Sequence, residues 1–185
     1  MKEEYCIILD YLPRGYADRR KGEPIAQAMG TSFYTLLEVV PREGIDLMPG
    51  EEVYIGDEKR DKIRFIRSAI EYRDLTNAAK SLLEETVEML VKRNEQKVME
   101  FFNKGGMITP RMHQFQLLPG IGKKHLLDIL EARTKKPFAS FADMMERVKL
   151  FPDPAKTVIR RIMLELEGDE KYYLLVQKHQ KRTFS

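Results

Sequence analysis

The sequence predicts an α+β protein: a small β-barrel over residues 1–73, a connecting helix or helix pair over 74–104, and an all-α domain over 105–185. Three observations predict it. The first part of the chain holds four or five short β-rich runs separated by turns. From Leu75 the apolar spacing changes to the 3.6-residue period of a helix, with no proline or glycine between Asp74 and Lys104. Beyond Gly105-Gly106, helical runs alternate with turns rich in proline or glycine.

The run Tyr5 to Leu12 is apolar and rich in β-formers, so it reads as a strand. A polar loop from Pro13 to Pro24 follows, and residues 33–40 give the second strand candidate. Pro49-Gly50-Glu51-Glu52 turns the chain into Val53-Tyr54-Ile55, and charged residues from Gly56 to Asp61 turn it again. In Lys62 to Arg67 the residues alternate, with Ile63 and Phe65 on one face and Lys62 and Arg64 on the other. Short strands at this spacing suggest an OB-like barrel, with an SH3-like barrel as the nearest competitor.

Leu75, Ala79, Leu82, Leu83, Thr86, Met89 and Leu90 mark one helical face, capped by Asp74 or Thr76. The run fits one long helix or two joined near Arg93-Asn94. Thr109-Pro110 resembles a cap followed by a proline at the first helical position, with Met112, Phe115 and Leu118 on the apolar face. A glycine turn then opens a helix over 123–133. Ser140 caps a third helix through Arg147, and Pro152-Asp153-Pro154 introduces a fourth that ends before Gly168. The text Leu118 to Lys123 is echoed by Leu150 to Lys156 without its glycines, which predicts a degenerate, mainly structural repeat.

The single cysteine, Cys6, excludes an internal disulfide and predicts a reducing, cytoplasmic setting; its apolar neighbours predict a buried, inert thiol. The start Met-Lys-Glu-Glu carries no apolar signal region, and no run approaches the length of a membrane span. Charge is distributed unevenly. Residues 1–103 hold 16 Lys+Arg against 20 Asp+Glu, whereas residues 104–185 hold 16 against 9, for nets of −4 and +7. A basic C-terminal part is the electrostatic footprint expected of a module with a polyanionic partner.

The most specific motif is Leu118-Pro119-Gly120-Ile121-Gly122-Lys123-Lys124. Glycine admits backbone conformations closed to other residues and lets another chain approach closely. A helix start offers free N–H groups and a partial positive charge. Together they predict a backbone cradle for a phosphate diester. Residues 109–133 resemble a helix-hairpin-helix motif, and with residues 140–167 the region is similar to a tandem helix-hairpin-helix (SAM-like) domain. That resemblance implies contact of the amides of Gly120 and Gly122 with nucleic-acid phosphates, with Lys123 and Lys124 adding charge. The chain as a whole resembles an archaeal family of uncharacterised proteins predicted to bind RNA.

A second candidate is the loop after the first strand, where Arg14, Arg19, Arg20 and Lys21 surround Tyr16. Cations there suit phosphate and the ring suits stacking on an unpaired base. Lys62 and Arg64 extend this basic face, with cross-strand ion pairing as the alternative. The three histidines, His113, His125 and His179, have no zinc-binding spacing, and no P-loop is present. The sequence therefore predicts a non-enzymatic, non-sequence-specific nucleic-acid-binding protein without a cofactor or metal, RNA being favoured over DNA. The alternatives are a protein-docking adaptor and a nucleic-acid-processing enzyme.

Overall fold

The computed structural model describes residues 2–16 and 22–177 and divides into two compact units: Met1–Thr86 with Glu165–Ser185, and Val87–Leu164. Unit 1 is built on five strands, β1 (Tyr5–Leu12), β2 (Ile25–Gly30), β3 (Leu36–Pro41), β4 (Glu52–Tyr54) and β5 (Ile63–Ala69). They form one antiparallel sheet in the order β4-β1-β2-β3-β5, curled into a half-barrel. The predicted barrel does not close, because β4 and β5 lie at opposite ends of this order. Register shifts at Ile8/Asp10, Glu38/Val39 and Val40/Pro41 bend the strands and increase their twist, which curls the sheet.

Alternation along these strands places Cys6, Ile8, Ala26, Ala28, Leu37, Val39 and Val53 in one core with Leu47, Ile55 and Ile63. The strand β2 was absent from the sequence-based reading, and its composition explains why. Ile25-Ala26-Gln27-Ala28-Met29-Gly30 has one β-branched residue, yet all six residues are buried. Buried Gln27 belongs to a polar row across four strands, paired with Asp10 and Glu38, the latter in turn opposite Ser68. Its amide donates to the carbonyl of Asp74 at 2.8 Å and accepts from the N–H of Thr76 at 2.8 Å. Thr76 caps the next helix through Ala79 N–H at 3.0 Å and donates its hydroxyl to Asp10 at 2.6 Å. Each buried polar group in this row thus has a partner, as burial requires.

That helix is α1 (Asn77–Arg93), and Asn94 separates it from α2 (Glu95–Lys104), the second of the two arrangements that fit the sequence. The chain enters unit 2 within α1 and returns within α5 (Pro154–Glu167). Unit 2 also holds a small hairpin of β6 (Met107–Thr109) and β7 (Met112–His113), a 3-10 turn Gln114–Leu117, α3 (Lys123–Lys135) and α4 (Phe141–Arg147). The helix expected to start at Thr109-Pro110 is therefore replaced by a hairpin and a single tight turn. Pro110 biases Thr109 away from helical backbone angles, and Met107 pairs with His113 across the turn. The imidazole Nδ1 of His113 accepts from Phe115 N–H at 3.2 Å, and Gln116 accepts from His113 N–H at 2.7 Å, so the 3-10 turn is capped at its start.

Phe102 and Phe115 are fully buried in unit 2, their rings 5.5 Å apart, and Arg133 donates to the last carbonyls of α2 at Phe102 (3.0 Å) and Gly105 (2.7 Å). The division at Gly105-Gly106 expected from sequence is not where the compact units separate. The segment after α5 belongs with unit 1 through named bonds. The Glu165 carboxylate accepts from the N–H groups of Leu174, Leu175 and Val176 at 2.8 to 3.0 Å, and Gln177 N–H donates to Phe33 O at 3.0 Å. Among the described residues no helix is long and apolar enough to cross a membrane.

Candidate nucleic-acid interface

The turn between the 3-10 segment and α3 is fixed from below by apolar anchors. Leu118 and Ile121 are buried, and Ile121 N–H donates to Leu118 O at 3.1 Å. Pro119 sits half-buried between them, and Gly120 is exposed at the tip with φ +82. At that angle a residue with a Cβ is strained. Gly122 is different. Its φ of −88 and ψ of −179 are open to any residue, and a Cβ placed there would meet nothing within 4 Å. Neither backbone geometry nor internal packing calls for a glycine at this position.

Gly122 is also the N-cap of α3, so the helix begins with no side chain to accept its free N–H groups. The two helices that follow α3 are capped. Ser140 accepts from Asp143 N–H at 3.1 Å at the start of α4, and Asp153 accepts from Ala155 and Lys156 N–H at 2.9 and 3.2 Å at the start of α5. Lys123 and Lys124 open α3, are exposed, and make no ion pair with any described residue. The arrangement is a set of unsatisfied amides with positive charge beside them and open space above, able to take an anion.

Sequence reasoning missed the residue that holds this turn. Arg161 of α5 is 2% exposed and donates to Leu117 O at 3.1 Å, immediately before the turn. The available signal was a charged residue between buried Val158, Ile159 and Ile162 on the apolar face of α5.

The second turn repeats the first in a register the sequence did not give. Phe151 N–H donates to Val148 O at 3.3 Å, and Leu150 has φ +57. Leu150 thus stands in the place of Gly120, 30 positions on, where the text suggested a shift of 32. His125 Nε2 lies 3.0 Å from Leu150 O, and its ring packs edge-on to Phe151 at 5.8 Å, so this histidine is held against the second turn.

Of the loop after β1, Arg14 is exposed and Tyr16 is half-buried, while Arg19, Arg20 and Lys21 lie outside the described residues. The Tyr16 hydroxyl donates to Glu38 at 2.6 Å and accepts from Gln27 at 2.7 Å, tying it to the polar row of the sheet. Tyr16→Phe is expected to lower unfolding stability by about 1–3 kcal/mol, the range for depriving a buried acceptor of its donor. An unchanged urea midpoint would mean that these bonds carry no net stability. Lys62 pairs with Glu51 at 2.6 Å and Arg64 approaches Glu23 at 3.9 Å.

Charge follows the compact units. Val87–Leu164 holds 15 Lys+Arg against 8 Asp+Glu, a net of +7, and the remaining residues hold 17 against 21, a net of −4. Burial and the nearby Arg133 charge hold the His113 imidazole below its usual range. Burial, with Glu3 and Glu52 nearby, pushes the Cys6 thiol far up and leaves it in its unreactive form. Among the described residues no three histidine, cysteine, aspartate or glutamate side chains are grouped to hold a metal.

Comparison with known proteins places these features in context. A family model described as "Protein of unknown function (DUF655)" matches residues 2–177. The uncharacterized protein MJ0038 of Methanocaldococcus jannaschii is 44% identical over 177 residues, covering 95% of this chain and 80% of that one. A crystal structure of Af1531 from Archaeoglobus fulgidus superimposes with a TM-score of 0.83 at 41% identity, covering 95% of this chain and all of that one.

Proposed function

We propose that this chain, which belongs to the family described as "Protein of unknown function (DUF655)", binds nucleic acid, RNA ahead of DNA, through backbone phosphates and without reading base sequence. One observation carries the reading. Gly122 caps α3 without a side chain, in a conformation any residue could adopt, with open space where its Cβ would be. A glycine that the fold itself does not need is explained by the close approach of a ligand. The exposed pair Lys123-Lys124 and the +7 charge of the unit support an anion as this ligand.

The two matched turns support a tandem helix-hairpin-helix unit of the SAM-like kind, its first helix reduced to one 3-10 turn. The strand order supports an OB-like half-barrel beside it in sequence, with Arg14 and Tyr16 as a second, independent candidate contact. The reading assigns no catalytic step and no cofactor, and places the protein in the cytoplasm. A protein-docking use of unit 2 is the second reading, favoured by Leu150, a leucine 86% exposed at the tip of the second turn.

Salt dependence separates the two. Each phosphate neutralised contributes roughly −0.7 to −0.9 to the slope of log K against log salt. Replacing Lys123 and Lys124 together by alanine is expected to flatten that slope by roughly 1 to 2 and to weaken all sequences alike. Fluorescence anisotropy with mixed-sequence oligonucleotides measures both quantities. A slope unchanged in the double variant would remove the phosphate contacts from this helix start, and loss confined to one sequence would indicate base readout.

A further inference from the structure

The face of α3 that runs on from Lys124 lines a groove of about 520 Å³ in unit 2. Lys124, Asp128, Glu131 and Lys135 follow helical spacing along one wall, and Lys136, Arg147 and Lys149 add the remaining charges of the lining. Three of these charges are already committed. Lys135 pairs with Glu131 at 2.6 Å. Arg147 pairs with Asp143 at 2.9 Å and donates to the carbonyls of Ala132, Lys136 and Pro137, which ties down the end of α3. Lys124, Lys136 and Lys149 are exposed, and their ammonium groups make no hydrogen bond or ion pair with any described residue. The carboxylate of Asp128 is likewise uncommitted among the described residues, one turn along from Lys124.

A basic groove starting at the anion site of the α3 N-terminus suits a phosphodiester strand that continues from that site. The single uncommitted carboxylate within it is the discriminating feature. Beside a chain of phosphates it is repelled unless the ligand also offers a hydrogen-bond donor between them. An RNA backbone does, at each ribose 2′-hydroxyl, and a DNA backbone does not. From Lys124 to Lys135 the helix rises about 17 Å. That length spans several nucleotides of a strand.

We infer that this groove carries the next few nucleotides of an RNA strand held at Gly122, with Lys136 and Lys149 on its phosphates and Asp128 accepting from a ribose 2′-hydroxyl. The inference rests on the phosphate reading of the α3 start but adds a second site and a selectivity to it. Uridine oligomers of about four and about twelve nucleotides, in ribose and deoxyribose forms, test it by anisotropy on the full chain. The double variant Lys136→Ala/Lys149→Ala is expected to weaken the longer RNA by roughly ten- to thirty-fold at about 0.1 M salt, the effect of two lost phosphate contacts. The shorter RNA, which the α3 start alone can hold, keeps its affinity. Asp128→Ala is expected to lower RNA affinity and raise DNA affinity, so that their ratio falls.

Circular dichroism confirms folding, which these substitutions leave intact because none of the three side chains bonds to a described residue. Equal losses on both lengths, or none on the longer, would overturn the groove. An unchanged RNA-to-DNA ratio in Asp128→Ala would overturn the 2′-hydroxyl contact. If the native chain binds neither length, the phosphate reading of the α3 start is what fails.

Discussion

Gly122→Val is expected to leave the protein folded and to weaken its binding to RNA by roughly 10- to 140-fold. The two halves of that expectation come from different facts. The backbone at Gly122, φ −88 and ψ −179, is the extended conformation that valine favours, and a Cβ added there would meet no protein atom within 4 Å. Exchanging glycine for valine at an N-cap costs on the order of 1 kcal/mol at most, because glycine itself contributes no cap side chain. The valine methyl groups would nevertheless occupy the space above the free amides of Gly122, Lys123 and Lys124. Loss of a hydrogen bond to a charged group is worth about 1.5–3 kcal/mol, which at 1.4 kcal/mol per tenfold gives the stated range. Affinity is read by anisotropy and folding by thermal melting followed by circular dichroism. A folded variant with native affinity would falsify the cradle and favour the docking reading instead.

Gly120→Val separates strain from approach. Here φ is +82, and the nearest atom to an added Cβ is Pro152 Cγ at 3.5 Å, an ordinary contact. The cost is therefore backbone strain rather than crowding, of order 1–3 kcal/mol and at the upper end for a β-branched residue. The expected result is a lower melting temperature together with weaker binding, since the turn that aims the α3 start is displaced. Gly120→Asn should recover most of the stability, because asparagine tolerates the left-handed region. Leu150 at φ +57 in the matching turn shows that a side chain not branched at Cβ can be held there. If valine and asparagine melt alike, the positive φ is not what selects glycine at the tip.

Local features were legible in the sequence. The strand Tyr5 to Leu12, the Ser140 cap and the stop at Gly168 all follow from patterns within a few residues, and each is found where the pattern puts it. The same holds for the start of α3 at Lys123 and for the apolar anchors Leu118 and Ile121 of its turn. Turns, caps and amphipathic faces are short-range choices of backbone angle and side-chain hydrogen bond, so the chain text determines them directly.

What only the tertiary structure decided depends on residues far apart in the chain. β2 is a strand because neighbours on both sides bury it, and its Gln27 is tolerated because Thr76 and Asp74, nearly fifty positions away, satisfy the amide. Met107 to His113 pairs as a hairpin where a cap and proline promised a helix, since the alternative backbone bonds close locally around Pro110. Lys62 and Arg64 look free in the text and are paired in space with Glu51 and Glu23. The reverse happens along α3, where Lys124, Lys136 and Lys149 meet across one groove although no motif joins them. Burial and charge pairing are sums over a three-dimensional neighbourhood, and a one-dimensional pattern records only the part of that neighbourhood lying within a few residues.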